Sequence, residues 1–282
     1  YVVAAGIPAA MDAGAEILNL SLGEQEDCPL LGDAIRMALD SGIIVVAASG
    51  NEGVQQAKYP AAYPGVIGVG AIDASGERMA FSNLGSGLGL TAPGYGVNAA
   101  GSNGGYVSIS GTSASAPLVV AAIAATMSDG SGRRVSATEA AKLVLANADD
   151  EGAPGPDSEY GSGVLNLARL MNRNVRGRYD AAITCLRLLP AAGPNLPQQI
   201  EVTVQNRGTE ILINSLLEIT SSGISTKINA TTIAPGASQS FTVPANANSI
   251  AGDVSVSVAL GNGQIDLTPE NNQRAGRFSG VY

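Results

Sequence analysis

The residues best suited to chemistry in this chain stand at Gly111-Thr112-Ser113-Ala114-Ser115-Ala116-Pro117. They open the apolar, alanine-rich stretch Thr112 to Met127, which has the length of a buried helix. A serine in the first turn of a helix feels the positive end of its dipole. The free backbone N–H groups there can also hydrogen-bond a developing oxyanion. Ser113 is therefore a candidate nucleophile. Gly111 lets the backbone approach a substrate carbonyl, and Pro117 lies where a missing N–H costs less than it would mid-helix. Taken alone, the segment fits an ordinary helix start equally well, since Ser and Thr are common caps.

Two further segments end apolar strand-like runs. Ala47-Ala48-Ser49-Gly50-Asn51 follows the run Ile43 to Ala48. Open α/β sheets place their sites beyond the carboxyl ends of strands, and the Asn51 side-chain N–H could serve an oxyanion. By itself the segment is also a plain Gly-Asn turn. Asn19-Leu20-Ser21-Leu22-Gly23 is the other. A strand end beside a cleft can pair with an extended peptide, but alone this one reads only as a buried strand.

The surrounding elements set the frame for these residues. Residues 2–13 read as a short helix stopped by Gly14, and Ile17 to Leu22 as a strand. Leu30 to Leu39 reads as an amphipathic helix stopped by Gly42. Ile43 to Ala48, Val66 to Ala71 and Leu88 to Ala92 read as strands, and Ser136 to Asn147 as a helix with Ser136 and Glu139 spaced as a capping box. Helices alternating with fully apolar strands predict an α/β fold with a parallel sheet between helices. The pattern ends near residue 172, and 173–180 is charged and irregular. From 181 to 282 alternation takes over: Ile200, Val202, Val204 and later Val254, Val256, Val258 are separated by polar residues. Turn signals at Asn206-Arg207-Gly208, Pro235-Gly236 and Gly261-Asn262-Gly263 punctuate it, predicting a small all-β sandwich.

Composition narrows the function classes. The 282 residues are 45% hydrophobic and 14% charged, enough apolar material for a sizeable core. The net charge of −9 argues against nucleic acid or anionic membrane as partner. Cys28 and Cys185 are far apart and the chain has no histidine, so the thiols read as isolated and no metal cluster is expected. No apolar run is long enough for a membrane span. The chain opens on Tyr1 without a visible signal peptide, which suggests a truncated or processed product.

In their order and spacing, NLSLG at 19–23, VVAASGNEG at 45–53, YPAAYPGVIGVGAID at 59–73, FSNLGSGLGLTAPG at 81–94 and SGTSASAP at 110–117 resemble the subtilisin-like serine proteases, the subtilases. YGSGVLN at 160–166 resembles the family's domain-ending turn and helix. The likeness covers roughly residues 1–172 and implies an incomplete subtilisin-like domain. It implies Ser113 as the nucleophile of peptide hydrolysis through an acyl-enzyme, and Asn51 as side-chain donor of the oxyanion hole beside the Ser113 N–H. It implies that Leu20, Ser21, Leu22 and Gly23 pair with the substrate. Ala48, Ser49 and Gly50 would line the pocket for the residue before the scissile bond. The partner is then a protein or peptide substrate and the location is extracellular. No cofactor is required; calcium is common in the family, but no ligand set stands in this segment.

Two departures qualify the resemblance. The family's catalytic Asp and His lie upstream of the position of Tyr1, so this polypeptide alone is expected to be nearly inert. Leu118 follows Pro117 where many members carry His. The segment SGTSASAPL also resembles the sedolisins, acid proteases of the same fold, but those carry Asp at the position of Asn51. Rival readings are a pseudoprotease that keeps the cleft and a binding protein acting through its β half. That half weakly resembles an adhesion-type (CARDB-like) β-sandwich, on DAAI at 180–183, VTVQNRG at 202–208, IAPG at 233–236 and PENN at 269–272. Glu270, Asn271 and Asn272 are expected to form a last turn rather than a calcium site.

Overall fold

A computed structural model describes residues 2–128, 134–191, 193, 196–221, 223–245 and 253–278. Tyr1, where the first helix was expected to be entered, lies outside them. The chain forms two compact units. One runs to Ala148 and includes Pro156–Leu170; the other comprises Asp149–Gly155 and the chain from Met171.

In the first unit the elements are α1 (Val2–Asp12), β1 (Ile17–Leu20), α2 (Pro29–Asp40), β2 (Ile44–Ala48), β3 (Ile67–Ile72) and β4 (Leu88–Pro93). The hairpin β5 (Val97–Ala100) and β6 (Tyr106–Ile109) follows, then α3 (Thr112–Thr126) and α4 (Ala137–Ala146); the short α5 (Leu167–Asn172) comes last and carries the boundary after Leu170. The four strands β1-β2-β3-β4 lie in chain order and pair in parallel. Side chains alternate across a strand, so β2 serves two cores. Val45 and Ala47 pack with Ile7, Leu31, Ile35 and Ala38 of α1 and α2. Val46 packs on the other face with Val69, Leu90, Val119, Ile123 and Val144. That is why the sequence of β2 is apolar throughout rather than alternating. Each such fully buried Val, Leu or Ile contributes about 1.5–3 kcal/mol of transfer free energy.

The predicted helices and parallel strands are present, their ends displaced by a residue or two. The strand at Ile17 stops at Leu20, two residues early. The Ser136 hydroxyl accepts the Glu139 N–H at 3.2 Å and starts α4 as its spacing predicts. The β5–β6 hairpin was not foreseen: each strand has four residues, and every residue of β6 is exposed, so burial left no periodic signal. The segment YGSGVLN runs beside β4, where the Thr91 N–H donates to the Gly163 carbonyl and the Leu165 N–H to that of Thr91.

The second unit has two antiparallel sheets. One is β11 (Ser238–Pro244), β8 (Gln199–Asn206) and β7 (Ala181–Leu189). The other is β10 (Ile224–Ile233), β9 (Leu212–Ser221), β12 (Asp253–Ala259) and β13 (Gln273–Arg277). Both feed one core through Ile183, Ile200, Val202, Val204, Leu217, Ile219, Val254, Val256 and Val258. At the Asn206-Arg207-Gly208 turn, the buried Asn206 amide donates to the carbonyls of Glu210 and Ile233, each at 2.8 Å, and its oxygen accepts the Gly208 N–H. Asp149–Gly155 is held here by charge: Arg207 lies 3.2 Å from Asp149 and 3.0 Å from Glu151, which also meets Arg274 at 2.8 Å. Glu270, Asn271 and Asn272 lie in a 3-10 turn, Pro269–Asn272. The half-buried Asp180 is tied to it by accepting from the Thr268 hydroxyl and the Asn271 side-chain amide. Cys28 is exposed and Cys185 buried, both as free thiols; burial pushes the Cys185 thiol up to about 11.

Candidate active site

The motif residues meet where β1, β2 and the start of α3 come together. Ser113 is exposed in the first turn of α3, after Gly111 at φ 145°. Its hydroxyl donates to the Ser21 carbonyl at 3.3 Å, and the Ser21 hydroxyl donates back to the Ser113 carbonyl at 3.0 Å. Asn19 donates to the Ser21 hydroxyl at 3.0 Å. Chain segments 92 residues apart are thus joined at the exposed serine.

Asn51 lies beyond the carboxyl end of β2, and its orientation is set from α3. Its Oδ1 accepts both the Thr112 N–H, at 2.9 Å, and the Thr112 hydroxyl, at 3.0 Å. Two donors on the oxygen leave Nδ2 as the free end of the amide. A Cβ at Gly111 would stand 3.4 Å from that nitrogen, and the positive φ there also calls for glycine. Fully buried Thr112 additionally accepts the Gly50 N–H at 3.2 Å, which ties β2's end to the helix.

The loop after β2 depends on a residue that motif reading passed over. Asn83, fully buried, accepts the N–H groups of Glu52 at 2.9 Å and Val54 at 3.2 Å. Its Nδ2 donates to Glu52 Oε2 at 3.0 Å, and its carbonyl accepts from the Ser49 hydroxyl. At Gly50, φ is 111° and a Cβ would run into the Asn83 amide. Asn83 stood within the FSNLG motif, but only the folded loop shows what it binds. Thr112, likewise inside a quoted motif, gave no sign of its two-way role.

Ala48, Ser49 and Gly50 are buried at the end of β2, while Leu20, Ser21 and Gly23 are half-buried and Leu22 exposed. The two segments are linked through residues 58 and 59. The Lys58 N–H donates to the Ser49 carbonyl at 2.8 Å, and Glu24 and Tyr59 exchange backbone hydrogen bonds of 2.8 and 2.9 Å. Glu52 is paired with Lys58 at 2.7 Å; hydrogen bonding to that ammonium is the main cause holding its carboxyl below the usual value. Among the described residues, no three His, Cys, Asp or Glu side chains are grouped to hold a metal ion.

The parallel α/β unit that holds these residues is the part of the chain that matches the subtilases. The chain belongs to that family, whose model matches residues 1–163. It is 37% identical over 169 residues to the thermostable alkaline protease of Halalkalibacterium halodurans, covering 59% of this chain and 45% of that protein. To subtilisin DY of Bacillus licheniformis it is 35% identical over 170 residues, covering 58% of this chain and 60% of the relative. The chain thus spans about half the length of the curated relatives it matches. Among solved structures, the patellamide maturation protease PatA is 34% identical with a TM-score of 0.55, over 60% of this chain and 66% of that one. The prenylagaramide maturation protease PagA is 30% identical with the same TM-score, over 60% and 66%.

Proposed function

We propose that this chain carries the nucleophile and oxyanion hole of a serine endopeptidase. In this reading the Ser113 hydroxyl attacks the scissile carbonyl and its proton passes to a general base. The tetrahedral oxyanion is held by Asn51 Nδ2 and the Ser113 N–H, and the amine leaves to give an acyl-enzyme that water hydrolyses. Leu20 to Gly23 pair with the peptide, and Ala48 to Gly50 line the pocket for the residue before the scissile bond. The observation that carries the reading is the double anchoring of Asn51 Oδ1 by Thr112, which turns a side-chain donor free at the mouth of the helix bearing Ser113.

The 282 residues contain no histidine, so the reading places the base and its Asp partner in polypeptide upstream of Tyr1. Asn51, rather than Asp, keeps it on the subtilisin branch. No cofactor is needed for this chemistry, and export from the cell goes with it. The β unit is taken as an adhesion-type (CARDB-like) module that binds surfaces or spaces domains. The test is hydrolysis of a peptide anilide by the product of the whole reading frame. That product cleaves, Ser113→Ala abolishes cleavage, and the 282-residue chain alone stays at background. A whole product no more active than its Ser113→Ala variant would leave the pseudoprotease as the reading.

A further inference from the structure

A short stretch of the chain lies in a different unit from the residues on either side of it. Ala148 and Pro156 belong to the α/β unit, whereas Asp149–Gly155 belongs to the β unit. The rest of the β unit is reached later, across the boundary between Leu170 and Met171 and through residues 174–177, all exposed.

Three consecutive acids seat the stretch. Asp149 meets Arg207 at 3.2 Å, and Glu151 is shared between Arg207 at 3.0 Å and Arg274 at 2.8 Å. Asp150, 6% exposed, accepts the Ser238 hydroxyl at 2.6 Å, and its N–H donates to Gln205 Oε1 at 3.1 Å. Arg207 Nε donates to the same Gln205 oxygen at 3.1 Å, and Arg274 donates to the Thr184 carbonyl at 2.6 Å. Thr184, Gln205 and Ser238 stand on β7, β8 and β11, and Arg274 on β13, so both sheets contribute to the seat. The Asp150 carboxylate also accepts the Gly155 N–H, at 3.1 and 3.2 Å to its two oxygens. That bond closes the stretch on itself, and a closed loop has less freedom to lose on docking. Charges withdrawn from water are held where partners and hydrogen bonds replace the water, and each of these acids has both or one of them. With Arg207 11% and Asp149 13% exposed, salt screens the pair weakly. None of these bonds involves residues 171–178.

We propose that the β unit is a receptor for this acidic segment, which retains it without the later covalent link, so that cutting the exposed stretch after α5 leaves the β unit attached. The inference does not rest on the reading of Ser113 and Asn51. Its test uses the 282-residue chain with an N-terminal affinity tag and a site for a sequence-specific protease inserted between Asn174 and Val175. The chain is held on resin, cut and washed at physiological salt. The 175–282 fragment stays on the resin. Asp149→Asn combined with Glu151→Gln releases it after cutting, while the uncut double variant keeps the β-sheet circular dichroism of the parent. An excess of a synthetic peptide of residues 148–156 displaces the fragment from the cut parent by mass action. The same peptide carrying both substitutions does not. Where the uncut double variant loses its β-sheet signal, the peptide arm decides alone. Release of the fragment from the cut parent overturns the proposal. So does its retention by a folded, cut double variant, or failure of the parental peptide to displace it.

Discussion

Thr112→Val removes one hydroxyl from a fully buried site while conserving shape. That hydroxyl donates to Asn51 Oδ1 at 3.0 Å and accepts the Gly50 N–H at 3.2 Å. Losing one neutral hydrogen bond costs about 0.5–1.5 kcal/mol, and a buried N–H left without an acceptor costs about 1–3 kcal/mol. Together these destabilise the α/β unit by about 1.5–4.5 kcal/mol, read as a lower urea midpoint for that unit. The functional effect is smaller. Asn51 Oδ1 keeps its bond from the Thr112 N–H at 2.9 Å, so the amide loses one of two anchors. If the whole value of the lost bond is felt in the transition state, kcat of the whole reading-frame product falls by about tenfold at most. KM changes little, because no substrate contact is removed. Thr112→Ser, which keeps the hydroxyl, retains the parental kcat. The reasoning fails if the Val variant turns over like the parent, or if the Ser variant is as slow as the Val variant.

Further outcomes follow from the same contacts. Asn51→Ala deletes the proposed side-chain oxyanion donor and lowers kcat by about 10²–10³; an unchanged kcat would remove Asn51 from the proposed mechanism. In the folded state the hydrogen bond to Lys58 is the main cause holding the Glu52 carboxyl below its ordinary value. Its contribution to stability is thus complete above the unfolded-state value and is lost as pH falls through the lower folded value. Lys58→Met should raise the Glu52 value in a carboxylate titration by NMR, and no movement would deny the pairing. Residues 173–282 expressed alone fold but melt below the β unit of the full chain. Arg207, 11% exposed, has then lost Asp149 and Glu151, and leaving a buried charge short of partners costs about 3 kcal/mol. Residues 1–172 alone are poorly soluble, because β1 is an edge of the sheet beside a groove of about 630 Å³ in which Ile17, Val120, Ala124 and Met127 stand next to Glu16, Ser128 and Arg134. Equal melting temperatures would refute the first expectation, and a monomeric, cooperatively melting preparation the second.

Much of this was legible without coordinates because burial writes itself into residue order. β2, between α2 on one face and α3 on the other, and β3, buried along its whole length, read as unbroken apolar runs, while Val254, Val256 and Val258 alternate with exposed or half-buried neighbours in a sheet with one buried face. The capping serine of α4 was equally plain, since its bond to Glu139 is local. The β5–β6 hairpin escaped because it buries little. Asp149–Gly155 gave no signal either: its place with the β unit depends on Arg207 and Arg274, 56 and 123 residues from Glu151.

The same division holds at the site. Sequence alone determined the α/β and β halves, the family resemblance, and Ser113 and Asn51 as candidates, because these rest on local pattern and on motif order. Only the tertiary structure decided which end of the Asn51 amide is free, that Thr112 sets it, that Asn83 holds the Gly50–Val54 loop, and that Lys58 lies against Gly23 while its N–H binds the Ser49 carbonyl. Each of those facts is a hydrogen bond or contact between segments far apart in the chain. Residue type states what such a side chain can donate or accept; only the fold states to whom.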